Sequence, residues 1–408
     1  MSYRTSLYKK RIIKELYFGN TLSCAELSAA IDKSLPLTTR LLNELIDEGF
    51  VTETGHAVST GGRRPVMYSI KDDTLYIVSV AMDQFVTRIA IMDMRNKFVT
   101  DIEKFELSLP RNPDALNILT DKIGEFVRQS GILKEKIVGI GIGMPGFVDF
   151  KKGVNYSFLN VEAESITEHI SSQTGLPTFI DNDSSLIALA ELCFGAAKGR
   201  KNAMVVNLGW GIGLGMVLNK ELFRGQDGFA GEFSHIPMFT NGKLCSCGKS
   251  GCLETESSLL YIVAKAQEGL RAGRTSILKS SQLEHYESAS QSIIAAVHKG
   301  DTFAVELLSE AGYTIGRGVA ILIHILNPEI IILSGRASNA GKIWQAPIQH
   351  ALNEHCIPRL AANTIIEMST LGYDAELIGA AALVMEHYEK DITKGIEMKP
   401  GEGYLSTN

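Results

Sequence analysis

The chain has 408 residues, 45% hydrophobic and 21% charged, with a formal net charge of -6, which leaves room for two or three ordinary domains and excludes a disordered or low-complexity chain. No run reaches the ~18 apolar residues of a membrane span and no apolar leader core follows the first residues. The six cysteines fit a reduced, cytoplasmic setting better than a disulfide framework.

Charge is mildly uneven along the chain. Residues 1–70 hold nine Lys and Arg against seven Asp and Glu, a balance of +2 that leaves -8 for the rest, so an anionic partner for the N-terminus is a weak expectation. Residues 7–18 set Ile12, Ile13, Leu16 and Tyr17 on one helical face. Ser23 is an N-cap with Glu26 in the capping-box position of a second helix reaching about Ala30. A third helix runs from about Leu35 to Glu48, with Leu41, Leu42, Leu45 and Ile46 inward and Gly49 as its stop. Two short strands, Phe50–Glu53 and Val66–Ile70, flank a linker holding Gly61, Gly62, Arg63, Arg64 and Pro65.

Three short helices and a two-stranded wing predict a winged helix-turn-helix. Its third helix would present Thr38, Thr39, Arg40 and Asn43 to a major groove. Arg63 and Arg64 would reach phosphates or an AT-rich minor groove. The expected partner is double-stranded DNA, a pseudo-palindromic operator read by a homodimer or homotetramer. The pattern alone would also suit a small protein-contact module.

From Leu75 strands and helices alternate. Strands are predicted at 76–81, 88–92, 137–144, 177–180, 203–207, 214–218 and 330–333. Helices are predicted at 113–129, 166–174, 185–194, 255–270, 287–299, 302–326 and 374–388. The pattern makes two similar α/β units with a cleft at strand ends, the usual place for a ligand. Asn182-Asp183 stands at such a strand end and opens a helix.

The densest stretch is Gly231–Glu254. Cys245, Cys247 and Cys252 fall within eight residues, and His235 precedes them. One imidazole and three thiols are the ligand set of a closed, structural zinc site, and Gly248 and Gly251 supply the turns. A metal pinning this loop would also fix Glu232 and Glu254, whose carboxylates suit the hydroxyl donors of a sugar.

Gly231-Glu232-Phe233-Ser234-His235 followed by Cys-Ser-Cys-Gly-Lys-Ser-Gly-Cys-Leu-Glu resembles the signature of the ROK family of repressors, open reading frames and kinases, with Ser234 in place of a glycine. The likeness extends from about residue 5 to 388, and it implies the two-lobed, actin-like ATPase (sugar kinase, ribonuclease H-like) fold behind the winged helix-turn-helix. In the family the histidine binds zinc and touches the sugar, and both glutamates bind sugar hydroxyls. The resemblance therefore makes Asn182, Asp183, Glu232, His235 and Glu254 the sugar pocket, with a backbone contact from Gly146. Asp183 corresponds to the kinases' general base. The expected organisation is a DNA-binding domain at 1–72 and a first lobe at 73–190, closed by the returning helix 374–388. A second lobe follows at 191–373, and a polar tail at 389–408.

The nucleotide side departs from the family. The first phosphate loop, Asp-x-Gly-Gly-Thr in the kinases, reads Asp83-Gln84-Phe85-Val86-Thr87; the second, Gly-Thr-Gly, reads Gly209-Trp210-Gly211; the adenosine-side Gly-Gly reads Ser334-Gly335, followed by Arg336. Phosphate must approach backbone N–H groups closely, which side chains at these positions oppose. The expectation is a sugar-sensing transcriptional regulator, a repressor, that binds a hexose or N-acetylhexosamine and keeps Asp183 only as a vestigial base. ATP and Mg²⁺ are not expected. The alternative is an active ATP-dependent sugar kinase that carries a DNA-binding domain.

Overall fold

A computed structural model of the chain describes residues 3–57, 64–159 and 165–389. Arg63 of the wing linker and residues 390–408 of the tail lie outside them. The chain forms two compact units, one made of the residues up to Leu75 together with those from Val384 on, the other of Tyr76–Leu383.

In the first unit, α1 (Tyr3–Gly19) is followed by a two-residue strand β1 (Leu22–Ser23), then α2 (Cys24–Ala30) and α3 (Leu35–Asp47). Ser23 caps α2, and Glu26 completes the box by accepting from the Ser23 N–H at 2.7 Å. Strands β2 (Val51–His56) and β3 (Val66–Ile70) pair antiparallel, and β1 adds to the far edge of β3. Ile12, Ile13, Leu16, Tyr17, Leu27, Leu41, Leu42 and Leu45 make the core. Lys9 is buried against Glu44 (2.9 Å) and Glu48 (2.6 Å), which ties α1 to α3. Glu389 pairs with Arg11 at 2.7 Å and Lys14 at 2.8 Å, so the first residue of the expected tail is fastened. Thr38 corrects the expected DNA-reading set. It is fully buried and its hydroxyl donates to the Ser34 carbonyl at 3.1 Å. Thr38, Leu41, Leu42 and Leu45 stand at i, i+3, i+4 and i+7, so all four share the inward stripe. Thr39, Arg40 and Asn43 are exposed on the other side of α3, and Arg64 is exposed as well.

The second unit repeats one sheet pattern twice. The first sheet is built from β4 (Tyr76–Met82), β5 (Val86–Asp93) and β6 (Glu103–Glu106), then, across α4 (Ala115–Gln129), β7 (Ile137–Met144). A small hairpin, β8 (Val148–Asp149) with β9 (Val154–Asn155), and α5 (Ile166–Thr174) precede its last strand, β10 (Thr178–Asn182). Helix α6 (Asp183–Phe194) leads to β11 (Ala203–Leu208), β12 (Ile212–Leu218) and β13 (Glu221–Phe223). After the cysteine loop come α7 (Leu259–Arg271), α8 (Tyr286–His298), α9 (Thr302–Leu326) and β14 (Ile330–Ser334). The chain ends with α10 (Gln345–His355), α11 (Pro358–Ala361), β15 (Ile365–Met368) and α12 (Ala375–His387).

The strand orders are β10-β7-β4-β5-β6 and β13-β12-β11-β14-β15. In each, an antiparallel meander is extended by two strands parallel to its first. This is the two-lobed actin-like ATPase architecture, and the short helices and wing of the first unit make the winged helix-turn-helix. Helix α6 packs Ile187, Ala188 and Ala190 on Ala203, Val205 and Val217 of the second sheet, so the expected lobe boundary at 190 falls inside a helix. Leu377 of α12 packs on Ala81 and Ala90 of the first sheet. Among the described residues no helix is long and apolar enough to cross a membrane.

Candidate functional site

The parallel strands of both sheets end at one cavity of about 440 Å³. β4 delivers Asp83, β7 delivers Pro145 and Gly146, β10 delivers Asn182 and Asp183, β11 delivers Gly209 and Trp210, and β14 delivers Gly335 and Arg336. Convergence of carboxyl ends is what makes such sheets bind ligands there.

One half of the cavity gathers the five residues expected to meet a sugar. Asn182 caps α6 by accepting from the N–H groups of Ser184 (2.9 Å) and Ser185 (3.2 Å), and its amide donates to the Gly146 carbonyl at 3.1 Å. Asn182 thus ties the start of α6 to the Gly146 loop. Asp183 takes a hydrogen bond from Asn207 at 3.2 Å. Burial pushes its carboxyl up to about 6, against the hydrogen bonds donated by Ser184, and Glu232 and Asp83 add to the rise. Burial likewise raises Glu232, with His235 opposing and Glu254 reinforcing the shift. Glu254 is raised by burial too, while His235 and the Ile212 N–H pull the other way. Gly211 leaves room for the Glu254 carboxylate, which a Cβ at that position would displace.

The cysteine loop closes beside this half. The ligand atoms of His235, Cys245, Cys247 and Cys252 all lie within 4.8 Å of one another. Cys245 Sγ is 3.4 Å from His235 Nδ1, and Cys247 Sγ is 3.6 Å from Cys252 Sγ. A tetrahedral ion with arms of ~2.0–2.3 Å spaces its ligands by nearly these distances, so the four side chains fit zinc. Gly248 and Gly251 turn the loop at φ 83° and 77°. Nδ1 faces the thiols while Nε2 stands 3.5 Å from Glu232 Oε2, so the metal-side and carboxylate-side nitrogens of His235 are separate.

The other half is filled by the protein itself. Asp83 Oδ1 accepts from the N–H groups of Phe85 and Val86, both at 2.8 Å. The backbone donors of the first loop are thereby consumed within the loop. Phe85 stacks on Tyr286 at 4.3 Å between centroids, and Trp210, buried, meets both rings edge-on at 5.8 Å and 5.5 Å. Arg336, only 6% exposed, binds Asp83 at 2.6 Å, Glu287 and the Tyr373 hydroxyl, and its guanidinium lies 5.1 Å from the Trp210 ring. Arg88, also buried, lies 3.5 Å above the Tyr373 ring and faces Glu376 at 3.4 Å and Asp374 at 3.5 Å.

Glu287, Tyr286, Tyr373, Glu376, Arg88 and Asn207 were not among the expected site residues. For one of them a signal exists in the sequence: Arg88 lies in a largely apolar strand, and buried charges of that kind are rare unless paired.

The profile of the ROK family matches residues 82–387. A glucokinase of Halalkalibacterium halodurans is 33% identical over 303 residues, 72% of this chain and 91% of that protein. A xylose repressor of Bacillus spizizenii is 29% identical over 392 residues, 95% of this chain and 96% of that protein. Among solved structures, a ROK family transcriptional regulator described as a homologue of the E. coli MLC protein aligns with a TM-score of 0.75 at 26% identity, covering 95% of this chain and 98% of its own. The repressor matches thus run through both units, whereas the family profile begins only in the second. With the two-lobed fold, the His/Cys₃ loop and its flanking glutamates all in one chain, the protein belongs to the ROK family.

Proposed function

We propose that this protein is a sugar-responsive, DNA-binding transcriptional regulator, a repressor, whose sensor binds a hexose or N-acetylhexosamine without phosphorylating it. The observation that carries the reading is the asymmetry of the cavity. Its sugar half keeps Asn182, Asp183, Glu232, His235 and Glu254 together. Its other half is packed with Phe85, Trp210 and Tyr286 and closed by Arg336 on Asp83. Structural zinc held by His235, Cys245, Cys247 and Cys252 would keep Glu232 and Glu254 in place. Full-length likeness to a xylose repressor supports the regulatory part. Thr39, Arg40 and Asn43 on the open face of α3, with Arg63 and Arg64 of the wing linker, are the proposed DNA contacts. Two copies on a pseudo-palindrome in the cytoplasm complete the reading.

A mobility-shift assay on the operator, with and without a monosaccharide panel, tests it. Arg40→Ala should weaken binding to the operator more than binding to unrelated DNA, as loss of a major-groove base contact does. Thr38→Val should leave DNA contacts alone, since that side chain is buried. Binding that no sugar alters, with Arg40→Ala behaving as wild type, rejects the proposal. The second reading, a kinase, draws on the 33% identity to a glucokinase and on the retained Asp183.

A further inference from the structure

Among the described residues the cavity is lined by five carboxylates, Asp83, Asp183, Glu232, Glu254 and Glu376. Its basic lining residues are Arg88, Arg336 and His235. Neither arginine is available to a ligand. Arg336 is held by Asp83, Glu287 and Tyr373, and its guanidinium lies against the rings of Trp210 and Tyr373. Arg88 lies over the same tyrosine, its guanidinium carbon 3.5 Å from the ring centroid, with Glu376 and Asp374 as its counter-charges. His235 adds no positive charge when it serves as a metal ligand through Nδ1, because a ligating imidazole is neutral. A divalent ion bound by three thiolates leaves one negative charge in excess. Each arginine thus faces carboxylates inside the wall, and among the described residues neither pairs with Asp183, Glu232 or Glu254.

We infer that the cavity selects an uncharged sugar and excludes the same sugar once it carries a phosphate. The inference rests on the sugar-sensor reading and adds the charge class of the effector. A phosphate monoester carries ~1.5–2 negative charges near neutral pH and needs arginine forks, lysines or free backbone N–H groups. Here the N–H groups of Phe85 and Val86 on the first loop are taken by Asp83. A phosphate would instead meet carboxylates in a site partly shielded from water, where like charges interact strongly. The mutual effect is visible among the residues themselves, since Glu232 and Asp83 both disfavour ionisation of Asp183. Uncharged hydroxyls have the opposite relation to these groups, each being a donor to a carboxylate oxygen.

Calorimetric titration of the full-length protein, without added Mg²⁺, reads this directly. The probes are glucose, xylose and N-acetylglucosamine, and the 1-phosphate and 6-phosphate of each hexose. At least one free sugar should bind, and its phosphates should bind at least about 100-fold more weakly, the scale of a like-charge juxtaposition. In Asp183→Asn the ratio of free-sugar to phosphate affinity should shrink, because one opposing charge is gone. If that variant does not fold, the wild-type ratio alone decides. A phosphate that binds as tightly as its parent sugar, or tighter, overturns the inference while upholding a sugar sensor. Failure of every probe to bind overturns the sensor reading itself, and the inference with it.

Discussion

Asp183 gives the site its most direct pH signature. The residue opens α6 at the end of β10, where backbone geometry fixes it and burial raises it to about 6. An unfolded aspartate titrates near ~3.9. Between these values the native state holds the proton that the unfolded chain has lost, so stability falls as pH rises through that window. Burial raises Glu232 and Glu254 as well, with the same sign. Asp183→Asn should therefore flatten the dependence of Tm on pH from about 4 to about 6 and leave the variant relatively more stable at neutral pH. Sugar affinity should run the other way, since the ionised carboxylate is the better acceptor. The same substitution should cost about 1–3 kcal/mol of sugar binding. Parallel melting curves for wild type and variant across that range would remove Asp183 from the titrating set.

At the scale of elements, the cysteine loop converts four ligands into the placement of two carboxylates. Phe233 and Leu253 anchor its ends in the core of the second lobe, and Glu232 and Glu254 adjoin those anchors. Burial, together with the thiols of Cys247 and Cys245, pushes the Cys252 thiol up to about 12, a cost that a bound cation relieves. Purified protein should contain about one zinc per chain. Cys252→Ser should lower that content and weaken sugar binding by roughly 10–100-fold, as loss of a metal-site partner commonly does. Metal-free wild type that binds sugar normally would separate the loop's metal from the pocket.

The gathering of His235 with Cys245, Cys247 and Cys252 was legible because the four are close in sequence. Helices with strong apolar stripes were legible for a related reason, and Thr38 could have been assigned to the core from its spacing to Leu41, Leu42 and Leu45. Edge strands such as Glu103–Glu106 and Ile365–Met368 alternate partly exposed and exposed positions over only four residues, too few to carry a period. Helix α10 was missed although Ile348, Ala351 and Leu352 are buried on α9. Its polar residues outnumber its apolar ones, and tertiary packing supplies what the pattern lacks. The bonds of Arg336 to Asp83, Glu287 and Tyr373 span 253, 49 and 37 residues. Local spacing holds no trace of such a set.

Taken whole, the two lobes have the actin-like architecture shared with sugar kinases, and aromatic and ion-paired side chains fill part of the space between them. Phosphoryl transfer depends mainly on holding nucleotide and metal in line with the attacking hydroxyl. A general base contributes only about 10²–10⁴-fold, so the retained Asp183 cannot supply the reaction alone. Groups that would meet phosphates are engaged within the protein: the Phe85 and Val86 N–H groups with Asp83, and Asp83 in turn with Arg336, while the Gly209–Gly211 turn carries a buried indole. Arg336 joins Asp83 of the first lobe to Glu287 of the second. Incubation with saturating ATP, Mg²⁺ and the sugars that bind should therefore release no sugar-dependent ADP. Replacing Phe85 and Val86 with glycine and Trp210 with threonine should restore ATP binding before it restores turnover, because Arg336 still occupies Asp83; adding Arg336→Gly should strengthen that binding further. Wild-type turnover reaching about 1 per second, within the ordinary enzyme range, would promote the kinase reading over the regulator. ATP binding by the wild type at the affinity of the quadruple variant would show that the packed half of the cavity opens without mutation.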